Sequence, residues 1–280
     1  MMSVPEPRTI LVTGASDGIG AAAARRLAAG GHQVILVGRS ARKTAAVAAD
    51  LGAPFHVADF AELAQVRALA EAVRADHPRI DVLANNAGGM WGPRTLTADG
   101  FEMTFQVNQL APFLLTKLLL PTLVDGSAIV VQTASRVARM AGPLDLDDLQ
   151  LERGYSPNGA YAKSKLANIL FTRELHRRYH DRGIAAVAFH PGALATNFAA
   201  DATGVIHAVY HSPLRRVVLG PPDRGGAALA WLATGEPGTT WQPGGYYERN
   251  RLASTNKQAD DAALASGLWE RCAELVQIPS

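Results

Sequence analysis

The sequence predicts a doubly wound α/β fold: a parallel sheet with helices on both faces, built as a single domain over residues 1–280. Three observations predict it. Apolar strand-like runs alternate with helix-period segments along the chain. The strand runs are continuous rather than alternating, as in a sheet covered on both faces. The first of them passes directly into a helix through the turn Thr13-Gly14-Ala15-Ser16-Asp17-Gly18-Ile19-Gly20.

The elements follow in order. Ile10 to Val12 is an apolar β-run, and an alanine-rich helix covers Ala21 to Ala29, stopped by Gly30-Gly31. His32 to Val37 is a buried strand; Gly38-Arg39-Ser40 ends it, and Ser40 can cap a helix reaching Leu51. Phe55 to Val57 is a short strand ending near Asp59, and Ala61 to Ala75 is helical by period. Ile80 to Ala84 is the next strand, followed by Asn85-Asn86-Ala87-Gly88-Gly89. Phe101 to Leu123 reads as one long apolar helix and Ala128 to Gln132 as a strand. Gly159 to Tyr179 is a helix, and Ile184 to Phe189 a strand ending at His190-Pro191-Gly192. The mixed stretch 199–222 is expected to form a substrate lid, with an inert surface excursion as the alternative. Right-handed crossovers between these strands place ligands beyond their C-terminal ends, where the small polar motifs cluster.

Composition excludes several classes. Of 280 residues, 48% are hydrophobic and 19% charged, as in soluble globular proteins. A net charge of +2, from 27 Lys+Arg against 25 Asp+Glu, is no footprint for nucleic acid or an anionic membrane. One cysteine, Cys272, allows no internal disulfide and points to the cytoplasm. Its amphipathic surroundings make it a core residue. No signal peptide is expected in Met1 to Arg8, and no apolar stretch reaches the ~18 residues of a membrane span. No set of His, Cys and carboxylates has metal spacing, so no metal is expected.

A strand that stops at glycines and enters a helix makes an anion site. Glycine allows close backbone approach, and the first helical amides and the helix dipole favour negative charge. The expected guest is a dinucleotide pyrophosphate. Where a dinucleotide site selective for NAD carries a carboxylate, this chain has Gly38 and then Arg39. Arginine suits a 2′-phosphate, so NADP(H) is the expected cofactor; the bland reading of Arg39 is a solvated charge. Arg42 and Lys43 lie close by. Asp17 puts a negative charge beside the expected phosphates. Asp59 is expected at the adenine end, or as an N-cap before Ala61. Tyr161 and Lys165 stand four apart on one helix face. A nearby ammonium favours the phenolate and lowers a tyrosine pKa from about 10 towards a useful acid–base range.

Together Thr13-Gly14-x-x-x-Gly18-x-Gly20, Asn85-Asn86-Ala87-Gly88, Ser135 after a strand, Tyr161-x-x-x-Lys165 and Pro191-Gly192 resemble the short-chain dehydrogenase/reductase family, over roughly residues 8 to 200. The run Tyr161 to Leu175, with the early Val37-Gly-Arg39, resembles its retinol dehydrogenase-like branch. The resemblance implies a Rossmann-type fold and a catalytic tetrad of Asn108, Ser135, Tyr161 and Lys165. Ser135 would hydrogen-bond the substrate oxygen, with Thr133 the lesser candidate, since Ala134-Ser135 stands where the family often has Ser-Ser. Lys165 would also hold the nicotinamide ribose. It implies cofactor contacts from Gly14, Ser16, Asp17, Gly18, Ile19, Gly20, Arg39, Asp59, Phe60, Asn86, Ala87, Gly88, Pro191, Gly192, Leu194 and Thr196, the last bonding the carboxamide. The implied reaction is NADP(H)-dependent hydride transfer to or from an apolar ketone, aldehyde or secondary alcohol. A non-catalytic NADP-binding regulator and an NAD-linked alcohol dehydrogenase are the rivals.

Three further expectations follow. Pro112 has no N–H to donate to the Asn108 carbonyl, which is then free to hold a water; in the family such a water links this asparagine to the lysine. Met90, Trp91, Met140 and Trp241 are candidates for an apolar substrate wall. The segment between Ser135 and Tyr161, with acidic Asp145, Asp147 and Asp148, leaves both monomer and homodimer open.

Overall fold

Successive residues of the first strand, β1 (Thr9–Thr13), face opposite sides of a sheet, and each side has its own core. Ile10 and Val12 belong to one core and Leu11 to the other, all fully buried. The same split runs through β2 (Gln33–Gly38), β4 (Val82–Asn85) and β5 (Ile129–Thr133), which is why their sequences are apolar throughout. The computed structural model describes residues 6–192 and 221–279. The sheet has eight strands in the order β3-β2-β1-β4-β5-β6-β7-β8, where β3 is Phe55–Val57, β6 Ala185–His190, β7 Tyr246–Glu248 and β8 Arg251–Leu252. All pairs are parallel except β7 with β8. The order reverses between β1 and β4, and the functional motifs gather at that switch point.

Helices α1 (Gly18–Ala29), α2 (Ala41–Leu51) and α8 (Pro222–Thr234) cover one face. The alanines of α1 are there for closeness. A Cβ added to Gly226 of α8 would stand 2.7 Å from the Ala22 Cβ, so only small residues fit this crossing. On the other face lie α3 (Leu63–Asp76), α5 (Ala111–Leu118), α7 (Pro157–Tyr179) and α9 (Ala262–Leu275). An aromatic cluster locks three of them together. Phe113 meets Trp269 at 5.0 Å and Phe171 at 5.8 Å, and Phe171 stacks on Trp269 at 5.7 Å between ring centroids. This fixes α5 against α7, and so fixes the two segments that carry Asn108 and Tyr161.

The expected single helix over Phe101 to Leu123 is corrected. It is a chain of pieces: α4 (Met103–Phe105), a π-helical turn at Gln106–Leu110, then α5, and α6 (Leu120–Asp125). Pro112 and Pro121 each lack the N–H that would continue an α-ladder, and the chain widens or breaks near each. Helix α7 starts two residues before the expected Gly159. Ser156 caps it, accepting from the Gly159 N–H at 3.1 Å, and Pro157 takes the first helical position. The lid expected at 199–222 lies almost entirely outside the described residues, which resume at 221. Among the described residues no helix is long and apolar enough to cross a membrane.

Candidate active site

The glycine turn is shaped by conformations that side chains resist. Gly14 and Gly18 have φ of 66° and 56°. A Cβ on Gly20 would lie 2.3 Å from the Gly14 carbonyl oxygen, and one on Gly14 would lie 2.9 Å from the Ala87 Cα. The turn is pinned to the end of β4 by Thr13. Its hydroxyl accepts from the Asn86 and Ala87 amides at 2.9 and 3.0 Å and donates to the Ala84 carbonyl at 3.2 Å. The Asn86 amide group donates to the Thr13 carbonyl at 3.0 Å. Asp17 caps α1 through the Gly18 N–H at 2.7 Å and faces Lys43 at 3.5 Å, so a cation offsets its charge beside the turn.

At the end of β2, Gly38 has a packing reason of its own. A Cβ there would sit 2.3 Å from Thr44 Oγ1 and 2.8 Å from the Ser16 Cβ. No carboxylate fits at this position, so the cofactor signal rests on Arg39, which is exposed and lines the same cavity as Ser16. Asp59 and Phe60 line it further along. The Asp59 carboxylate accepts from the Ala61 N–H at 3.0 Å in a turn and borders the cavity; it is not the helix N-cap, because α3 begins at Leu63 after Glu62.

This cavity, of about 1130 Å³, runs from Arg39 and the glycine turn to Ser135, Tyr161 and Lys165. Ile19, Asn86, Ala87, Gly88, Pro191 and Gly192 also line it; Leu194 and Thr196 lie outside the described residues. Met90, Trp91, Val137 and Met140 form an apolar wall. Trp241 does not join them, a correction. It is buried in the opposite core, its indole N–H donating to the Leu232 carbonyl at 3.1 Å. His190 lines the cavity as well. Burial pushes its imidazole down to about 4, so it is neutral at neutral pH, and its Nδ1 has no hydrogen-bond partner among the described residues.

Asn108 is a structural clasp. Its side chain accepts from the Gly89 N–H and donates to the Gly89 carbonyl, both at 2.9 Å, and also donates to Ser164 Oγ at 3.0 Å. Gly88 is pressed between Asn108 and Lys165. An added Cβ would fall 2.8 Å from Asn108 Oδ1 and 3.4 Å from Lys165 Nζ. Gly88→Ala is therefore expected to cost about 1–3 kcal/mol in stability. Urea unfolding measures it; an unchanged midpoint would show that Asn108 can yield.

Lys165 is buried, and its Nζ donates to the Thr133 carbonyl at 3.0 Å and to Asn168 Oδ1 at 3.2 Å. It stands 5.8 Å from the centre of the Tyr161 ring. Desolvation lowers the ammonium to about 7. Ser135 caps the short helical turn after β5, accepting from the Val137 N–H at 3.3 Å. The Asn108 carbonyl is not left free, against the sequence expectation. It accepts from Asn168 Nδ2 at 2.7 Å. Sequence reading passed over Asn168 and Ser164. The signal was there: Asn168 follows Lys165 by three residues and so shares its helix face.

A cofactor would find a backbone cradle that side chains cannot fill, a channel of sufficient volume and a cation at its far end. Among the described residues no cluster of His, Cys, Asp or Glu could hold a metal.

Comparison with known proteins gives the family of the chain. The short chain dehydrogenase family profile matches residues 8–204. A protein named as a candidate daunorubicin C-13 ketoreductase of Streptomyces sp. (strain C5) is 41% identical, with 98% of each chain covered. Human retinol dehydrogenase 13 is 36% identical over 96% of this chain and 84% of its own. Among solved structures, an uncharacterised protein from Mycobacterium paratuberculosis superimposes with a TM-score of 0.77 at 33% identity, covering 97% of this chain and 94% of that one. The Pseudomonas aeruginosa RhlG complex with NADP gives 0.68 at 25% identity, over 85% and 93%.

Proposed function

The chain belongs to the short-chain dehydrogenase/reductase family, as an oxidoreductase similar to its retinol dehydrogenase-like branch, and on that premise we propose that it is an NADPH-dependent reductase of bulky apolar ketones or aldehydes. One observation carries the reading. A single cavity is lined by an exposed arginine, the glycine cradle, the Tyr161–Lys165 pair and an apolar wall. The site residues then divide the work. Gly14, Gly18 and Gly20 admit the pyrophosphate to the backbone, and Arg39 pairs with the 2′-phosphate. Lys165 holds the nicotinamide ribose. When bound, the nicotinamide supplies the hydride. The substrate carbonyl oxygen receives a hydrogen bond from Ser135 and a proton from the Tyr161 hydroxyl. The buried Lys165 ammonium beside that phenol stabilises the phenolate left behind. Asn108 keeps the Gly88–Gly89 backbone in place under the reacting groups. Met90, Trp91, Val137 and Met140 offer a polycyclic or long-chain substrate an apolar face. The ketoreductase name of one relative and the retinol dehydrogenase name of another both fit such a guest. Reduction is the favoured direction with NADPH in a cytoplasmic setting.

Fluorescence titration tests the cofactor half. Wild-type protein is expected to prefer NADPH to NADH by about 10- to 100-fold, and Arg39→Ala to lose most of that preference while NADH affinity stays put. Equal binding of the two nucleotides by wild type would turn the reading towards an NAD-linked dehydrogenase. Turnover of daunorubicin and all-trans-retinal with NADPH tests the substrate half.

A further inference from the structure

Pro112 has no N–H, so the carbonyl of Asn108 lacks the donor that an α-helix would supply four residues on. A side chain from another helix supplies one. Asn168 of α7 is fully buried, and its Nδ2 donates to the Asn108 carbonyl at 2.7 Å and to Gln109 Oε1 at 3.0 Å. Its Oδ1 accepts from Lys165 Nζ at 3.2 Å. One amide thus spans the gap between a π-helical turn and a buried ammonium. The chemistry suits the place, because an amide presents donors and an acceptor at opposite ends of a rigid plane. The lysine stem has four rotatable carbons and no rigidity of its own. With Thr133 and Asn168 accepting two of its three N–H groups, one remains for whatever the cavity holds.

We propose that Asn168 is a positioning residue for Lys165: its amide fastens the ammonium to the widened turn at Asn108 and aims its remaining N–H into the cavity. This rests on the roles given above to Tyr161 and Lys165. The network continues away from the site, where the Gln109 amide reaches Cys272 Sγ of α9 at 3.8 Å. The aim of the lysine is therefore set by the π-helical turn, α7 and α9 together. Nothing in the position of Asn168 requires it to touch substrate.

The test compares Asn168→Leu with Asn168→Ala. Leucine matches asparagine atom for atom in outline and removes both polar ends. Alanine leaves a polar space that a water can enter and bridge. In NADPH-dependent reduction of daunorubicin, leucine is expected to lower kcat at least ~10-fold with the ketone KM within ~3-fold, since the lost contact acts on the reacting groups and not on substrate binding. Leucine is also expected to weaken NADPH affinity about five-fold, and alanine to fall between leucine and wild type in both. A purely structural asparagine would lower the melting temperature and leave kcat per folded molecule alone. Leucine with wild-type kcat and wild-type NADPH affinity overturns the proposal, and so does alanine falling below leucine. Should leucine prevent folding, Asn168→Val carries the same comparison. A wild type that binds NADPH but reduces no ketone counts against the proposed reaction, and the Asn168 inference is then decided by NADPH affinity. A wild type that binds no nicotinamide nucleotide overturns both.

Discussion

Tyr161→Phe is expected to cut NADPH-dependent ketone reduction by about 10³- to 10⁴-fold, near the upper end of what a positioned general acid contributes. NADPH affinity should stay within about three-fold of wild type, because the change removes one oxygen and leaves the ring in place. That ring is buried within α7 and walled by the cavity on one side, so its packing survives the substitution. Lys165 keeps its own partners, Thr133 and Asn168, neither of which involves the phenol. A loss of kcat with intact NADPH binding and an unchanged melting temperature therefore isolates proton transfer. Retention of more than about a tenth of the activity would mean that the proton comes from elsewhere, with Ser135 the next group in line. The same variant separates the enzyme from a nucleotide-binding regulator, since a regulator would have no activity to lose.

How much of this could be read in the chain depends on how local each signal is. The glycine turn is legible because the constraint lies within a few residues: Gly14 and Gly18 need positive φ, and a Cβ on Gly20 would strike the turn itself. Tyr161 and Lys165 are legible because a helix puts positions four apart side by side. Asn168 was as close in sequence, yet its meaning was hidden. Its partners on the widened turn are 59 and 60 residues away, and nothing local shows that the carbonyl freed by Pro112 lies within its reach. Helix α7 is buried on nearly every side, so polar residues on it do not stand out as an exposed face would show them. Trp241 failed for a related reason. An aromatic beside glycines belongs to some core, but the two faces of a doubly wound sheet look alike from composition. The long apolar run from Phe101 gave the right residues and the wrong helix, because its period does not reveal that a proline opens the ladder in the turn that precedes it. Gly38 was read for the carboxylate it lacks, and the structure adds that Ser16 and Thr44 leave no room for one.

Unfolding measured by urea at fixed pH should show cofactor-free wild type gaining stability relative to Lys165→Met as the pH rises from about 6 to about 9, by roughly 2–3 kcal/mol. The sign follows from burial. Desolvation lowers the folded-state pKa of Lys165 from an ordinary 10.5 to about 7, and its hydrogen-bond partners are a carbonyl and an amide, both neutral. Below pH ~7 the lysine is charged in both states, and the folded state carries the full cost of the buried charge. Between the two values only the unfolded chain holds the proton, so each unit of rising pH favours the folded form. Above the unfolded value the gain is complete. Methionine has no proton to lose and fills much the same apolar stem. The acceptors it strands on Thr133 and Asn168 lower stability at every pH, so they cancel from the change in the difference between the two proteins. Parallel curves would show that the folded protein leaves this ammonium at its ordinary pKa, so that burial imposes no desolvation cost on it. Diverging curves would show that the fold carries a desolvation cost at about pH 7 and below to hold this side chain 5.8 Å from the centre of the Tyr161 ring.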